Sequence, residues 1–330
     1  MGRGASSPAV VEDRMSGASG EAIGTSVRGA DARRLVWGRR RRLLRTSLVA
    51  WLFVAPAVLL YALFVIRPAI DIFTLSAYDW DGISPVRDWV GLDNFVRLLT
   101  DPVFWQAFKN NLIWLVLIVT FNVVVGLVAA TLLSTAIRAR FVFRLAYFLP
   151  VIQASIVTAM IWRWIYSPDG LLNSTLKSVG LDWLARGWLG DLTFALPALA
   201  VAACWAGFGL SVVIFLAGMQ GIDQSLYDAA RVDGASGRQL FRYVTIPALR
   251  NTITVVVLLQ MIAAFQVFDI IWATTQGGPI RETEMLATYM YKRGFQQGEF
   301  GNGAAIAVVL CGIVLAFSAV YLVIQERGRD

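Results

Sequence analysis

Six stretches of this 330-residue chain are apolar over the length of a membrane crossing: Ser47–Ser76, Leu112–Ile137, Phe141–Tyr166, Phe194–Gln220, Asn251–Thr275 and Gly303–Ile324. About 20 such residues cross the hydrocarbon as a helix. In lipid the backbone must satisfy its own hydrogen bonds, so each run is expected to be helical. The composition agrees, with 57% hydrophobic and 15% charged residues against about 25% charged in soluble domains. The expectation is an all-α, polytopic membrane protein with six transmembrane helices. The first run holds Arg67-Pro68 near its far end and reads as a tilted or kinked span whose arginine reaches toward the interface. It is too long for a signal-peptide core and lacks a clear cleavage pattern.

Arginine placement sets the direction. The segment before the first run is strongly basic, Arg138, Arg140 and Arg144 surround the second turn, and Arg231, Arg238, Arg242 and Arg250 cluster between the fourth and fifth runs. Placing these in the cytoplasm puts both termini there too. Residues 1–46 then form a basic cytoplasmic segment. Its first 34 residues, rich in Gly, Ala and Ser, are expected to be disordered, and Arg33–Arg45 reads as an anchor for anionic lipid rather than nucleic acid. Residues 47–325 form the membrane domain, with a polar insert at 221–249, and 326–330 a cytoplasmic tail. In the first outer loop, Leu92, Phe95, Leu98 and Leu99 recur at helical spacing up to Pro102, which suggests a short interfacial helix.

Several chemistries are excluded. The chain has no histidine, which removes imidazole catalysis, imidazole metal ligation and histidine proton relays. Cys204 and Cys311 lie inside apolar runs without zinc spacing. The acids are scattered through loops, so neither a catalytic nor a metal site is expected. Lys109, Lys177 and Lys292 follow Phe, Leu and Tyr, whereas a phosphate-binding loop needs lysine after glycine. Energy for any transport must come from another subunit or from an ion gradient. Asp269 is the one clear mid-span acid and sits toward the outer part of the fifth run, which weighs against a proton-coupled carrier.

The polar insert is patterned. Asp223 is placed to cap a helix beginning at Gln224, and Asp228 suits the dipole of its early turns. Leu226, Ala229, Ala230 and Asp233 share one face, and Gly234 supplies a terminator able to take positive φ. A second piece, Gly237–Thr245, gathers Leu240, Phe241 and Val244 before Pro247 starts the next rise. Periodicity leaves two readings open: a face for a docking partner, or an amphipathic connector lying on lipid.

The residues "YDAARVDGASGRQLFRYVTIP" resemble the E-A-A-x-x-D-G-A…I-x-L-P loop of the membrane subunits of binding-protein-dependent ABC importers. Tyr227, Ala229, Ala230, Asp233, Gly234, Ala235, Phe241, Ile246 and Pro247 fall at its characteristic positions. Asp228 replaces the usual glutamate, and no leucine directly precedes Pro247. Thr275–Leu310 and Gly91–Asn111 are similar to the first-partner type of sugar permease, the maltose and glycerol-3-phosphate permease group. The resemblance implies a type I importer permease in a bacterial or archaeal cytoplasmic membrane, forming half of a pathway for a sugar or polyol phosphate. It implies a second homologous permease, two ATPase subunits and an extracytoplasmic binding protein as partners. ATP and Mg would be held by the ATPase, with no cofactor on this chain. Tyr227, Asp228, Ala229, Ala230, Arg231, Asp233, Gly234 and Ala235 would dock on that ATPase.

A sugar pathway is built from aromatic faces and amides. Gln153, Trp162, Gln266 and Asp269 offer such groups; the pathway candidates are Trp205, Phe208, Ser211, Gln260 and Phe265, of which Trp205, Phe208 and Gln260 are favoured because the resembled family draws its contacts mainly from the spans flanking the loop. On one unbroken helix Gln260 points away from Asp269, so the two are not expected to share a wall.

Overall fold

The computed structural model describes residues 51–134 and 140–327. The boundary at 46, the Arg33–Arg45 anchor and the last three residues lie outside the described residues. The chain up to Pro68 and the chain from Ala69 onward are separate compact units; apart from most of α1, the elements described below belong to the second.

Helix α1 covers Trp51–Leu75, and none of its most apolar window is buried by protein, as suits a surface that lipid covers. A two-residue antiparallel ladder follows, β1 (Tyr78–Asp79) with β2 (Asp88–Trp89), in the register Tyr78 opposite Trp89. The short helix expected in this loop is α2 (Asp93–Thr100), with Leu98 buried and Leu92 and Leu99 exposed. Pro102 then opens α3 (Pro102–Ser134), where its missing N–H costs nothing. At 33 residues α3 is about 50 Å long, more than the hydrocarbon needs. The third apolar run is two helices, α4 (Arg140–Ile152) and α5 (Ser155–Ile165), bent by 109°. A short α6 (Leu171–Ser178) precedes α7 (Ala195–Gln220).

Beyond α7 come α8 (Gln224–Val232), α9 (Gly237–Ala248) and α10 (Arg250–Phe265), the last two bent by 70°. The fifth run breaks again at Gln266–Phe268 before α11 (Asp269–Thr274). Finally α12 (Leu286–Tyr291) leads to α13 (Phe300–Arg327), which carries the helix through Glu326 and Arg327 of the expected tail. Among the described residues, four helices are long and apolar enough to cross a membrane, or six with each bent pair taken as one span.

Packing centres on α3 against α7. Between them Gly126 is required: a Cβ there would come within 2.8 Å of Ser211 Cβ. Such small-residue contacts matter because lipid gives apolar side chains no reason to leave it, so association rests on close packing and hydrogen bonds. One cluster joins Trp114, Ile118, Leu199, Met261, Phe265 and Ile271. A second joins Leu127, Val212, Phe215, Leu216 and Leu249 at the end where α8 and α9 attach. Gly301, Gly303, Ala304 and Ala305 are buried at the start of α13, in keeping with a helix-packing role.

Candidate functional site

The polar insert is a series of rigid pieces joined by defined turns. Asp223 caps α8, its carboxylate accepting from the Ser225 N–H at 2.9 Å. The bonds from Ser225 hold that carboxyl below the ordinary aspartate pKa. At the other end Gly234 takes φ +79°, the Gly234 N–H bonds to Arg231 O and the Ala235 N–H bonds to Ala230 O. That pair of bonds is a Schellman ending, which satisfies the last carbonyls of the helix. Ser236 and Gln239 then form a capping box that starts α9.

Within α9, residues Phe241–Thr245 widen into a π turn in which the Ile246 N–H reaches Phe241 O. The next residue is Pro247, whose ring would clash with the carbonyl four residues back in an α-helix. The same arrangement occurs in α1, where the π turn Ala62–Ile66 directly precedes Arg67-Pro68. The widened turn removes the clash without ending the helix. The change of direction expected at Pro247 therefore comes two residues later, at the fully buried Leu249. Past the bend, Arg250 Nη2 donates to Gln325 O at 3.0 Å, tying the foot of α10 to the end of α13.

The expected docking residues fall together on this insert. Leu226, Asp228, Ala229, Arg231, Val232 and Asp233 are exposed, while Tyr227, Ala230 and Ala235 are half-buried. Asp228 and Arg231 pair across the exposed surface at 2.8 Å. Val232 is 88% exposed, a poor place for a large apolar side chain on a solvated helix. Tyr227 turns inward, its hydroxyl 3.0 Å from Thr245 Oγ1 in the π turn. That bond joins α8 to the helix leading into the membrane domain. Tyr227→Phe keeps the ring and removes the bond, at about 1 kcal/mol. The expected result is normal membrane insertion with a lower thermal unfolding midpoint, measured on the purified protein.

The pathway candidates separate. Gln260 lines a cavity of about 490 Å³ between α3, the broken third span, α7 and α10. Ser211 stands behind it: Asn122 Nδ2 donates to Gln260 Oε1 at 2.9 Å and Gln260 Nε2 donates to Ser211 Oγ at 3.0 Å. Phe265 is fully buried, with its ring 5.4 Å from that of Phe317. Phe208 packs on the second cluster, and Trp205 stacks edge-on to Trp162 at 5.9 Å; neither is among the cavity residues.

Gln266 and Asp269 do line the cavity, together with Gln260. The expectation that Gln260 and Asp269 face apart is therefore corrected. It assumed an unbroken helix, and the break at Gln266–Phe268 lets Asp269 border the same cavity. Asn122, Gln153 and Thr158 are further polar residues on the wall. Gln153 sits at the bend of the third span, three residues after Pro150. That proline was the available sign of a broken span.

The chain is 36% identical to a probable ABC transporter permease of Pyrococcus horikoshii, over 84% of this chain and 96% of that protein. It is 33% identical to the lactose transport system permease protein LacF of Rhizobium radiobacter, over 84% and 94%. Its fold matches, with a TM-score of 0.77 at 23% identity, a chain of a bacterial ABC transporter involved in the import of the acidic polysaccharide alginate, covering 88% of this chain and 99% of that one. The type I importer permease fold is thereby established. Residues 32–327 match the binding-protein-dependent transport system inner membrane components, and the chain belongs to that family, as a permease subunit of an ABC importer.

Proposed function

We propose that this subunit forms half of the transmembrane pathway for a sugar, and that α8 takes the driving motion from a separate ATPase. The observation that carries the reading is the construction of the insert. A helix capped at both ends presents an exposed face and is joined through Tyr227, the π turn and the Leu249 bend to a membrane helix. A loop that merely lay on lipid would not need both caps and an internal tether. In this reading Asp228, Arg231 and Asp233 supply polar contacts to the ATPase, Ala229, Ala230 and Ala235 allow close approach, and Gly234 makes the turn.

ATP and Mg belong to the partner, since no lysine here follows a glycine in a phosphate-binding loop. The remaining partners are a second permease, a second ATPase copy and an extracytoplasmic binding protein, and both termini face the cytoplasm. The sugar assignment draws on relatives such as LacF and on the amide-lined cavity. An affinity-tagged chain purified from its native membrane tests the reading. An ATPase chain should co-purify, and nucleotide hydrolysis should rise when the binding protein and its sugar are added. A chain that purifies alone and moves solute down an ion gradient would contradict it.

A further inference from the structure

We infer that the cavity beside Gln260 admits uncharged polyhydroxy solutes and turns away anionic ones, with Asp269 setting that preference. The inference rests on the reading of this cavity as part of the translocation pathway, and it narrows the candidates by removing sugar phosphates, polyol phosphates and acidic sugars.

Three buried polar atoms of cavity-lining residues lack a partner in the protein. Asn122 and Thr158 are each 1% exposed and both line the cavity. Asn122 Oδ1, Thr158 Oγ1 and Gln153 Nε2 are buried with no hydrogen-bond partner in the protein. Buried polar groups are ordinarily paired, so each such exception calls for an explanation. The Asn122 amide has one end held by Gln260, which is in turn held by Ser211, so its other end is left for the cavity. The wall thus keeps one end of an amide at Asn122, an amide at Gln153 and a hydroxyl at Thr158 that donates or accepts. A sugar hydroxyl both donates and accepts, which matches this mixture.

Among the described residues lining the cavity, Asp269 is the one charged side chain, and no lysine or arginine stands with it. Anions are bound by guanidinium, ammonium or clustered N–H groups. An anion entering here would lose water, gain no counter-charge from this subunit and meet a carboxylate. A neutral solute suffers none of this.

The test uses the assembled complex in lipid nanodiscs, with Cys204 and Cys311 replaced by alanine and Thr158→Cys as a reporter. Labelling rates are measured for a trimethylammonium and a sulfonate methanethiosulfonate, each divided by its rate with a free thiol in solution. The cationic reagent should be faster by about tenfold or more, as in clefts lined by one sign of charge. Asp269→Asn should bring the ratio close to unity, and a neutral transported sugar should slow both reagents. Gln153→Cys serves as a second reporter if Thr158→Cys does not assemble. A sulfonate rate equal to the cationic one, a ratio unmoved by Asp269→Asn, or a cavity that neither reagent reaches would each overturn the inference. ATP-driven uptake is measured on the same complex reconstituted into proteoliposomes. If the complex imports with ATP but the charge ratio is absent, the charge inference alone fails. If the ratio holds and uptake ignores ATP, the import reading alone fails.

Discussion

Gly234→Val is expected to leave the chain inserted and assembled while separating ATP hydrolysis from uptake. Gly234 holds φ +79°, a region closed to a β-branched residue. A Cβ added there would meet nothing within 4 Å, so no clash is created and the whole effect arises in the backbone. The strain is about 1–2 kcal/mol, enough to reduce the present turn by roughly tenfold against alternatives that relax it. The chain would leave α8 at a different angle, the two Schellman bonds would be lost, and the exposed face would no longer stand where a partner meets it. Asn tolerates this backbone region better than other residues with a side chain, so Gly234→Asn should retain most of the uptake. Membrane content, nucleotide hydrolysis and uptake measured together decide the matter: wild-type uptake by the valine variant would show that this turn does not transmit motion.

Lys292→Met is the second large effect, and it acts on stability. After α11 the chain returns through a loop held by side chains of α3: Asn110 Nδ2 donates to Glu284 O at 3.0 Å, and Asn111 Oδ1 accepts from the Leu286 N–H at 2.8 Å. At its centre Glu284 is fully buried, accepting from Thr288 Oγ1 at 2.7 Å and pairing with Lys292 Nζ at 2.5 Å. Lys292 also donates to Gln276 O at 2.8 Å. Removing one partner of a buried pair leaves an uncompensated charge, which costs about 3–5 kcal/mol. Lys292 is 25% exposed, so the low end, about 3 kcal/mol, is expected. Glu284→Gln added to Lys292→Met should recover more than half of that loss, since a neutral amide still meets Thr288. Thermal unfolding of the purified complex measures both. A single variant as stable as the wild type would mean that Glu284 is compensated by something other than Lys292.

The two expectations concern parts of the chain that were unequally legible. The spans, the Asp223 cap and the Gly234 stop could be read directly, because each depends on residues adjacent in sequence. The capping box was equally local, with Ser236 and Gln239 at the right spacing, but it was not drawn from the pattern. Breaks inside apolar runs were harder. Nothing around Gln266 marks the interruption as a glycine or proline would, so helical geometry was extended through it and Asp269 was set on the wrong side. Pro150 did mark the third span, yet the 109° bend also depends on how α5 packs, which no local signal carries. Trp205, Phe208 and Phe265 were chosen by residue type and by resemblance. A type does not say whether a ring faces a cavity, a neighbouring ring or the core, and these three face the latter two.

The proteoliposome experiment bears most directly on the central claim. The complex is reconstituted with its binding protein outside and nucleotide inside, and labelled sugar is followed into the lumen. Accumulation should require hydrolysable ATP, stop with a non-hydrolysable analogue, and ignore ionophores that collapse proton and sodium gradients. Accumulation by this chain without its ATPase, or uptake driven by a gradient with no nucleotide present, would contradict the account.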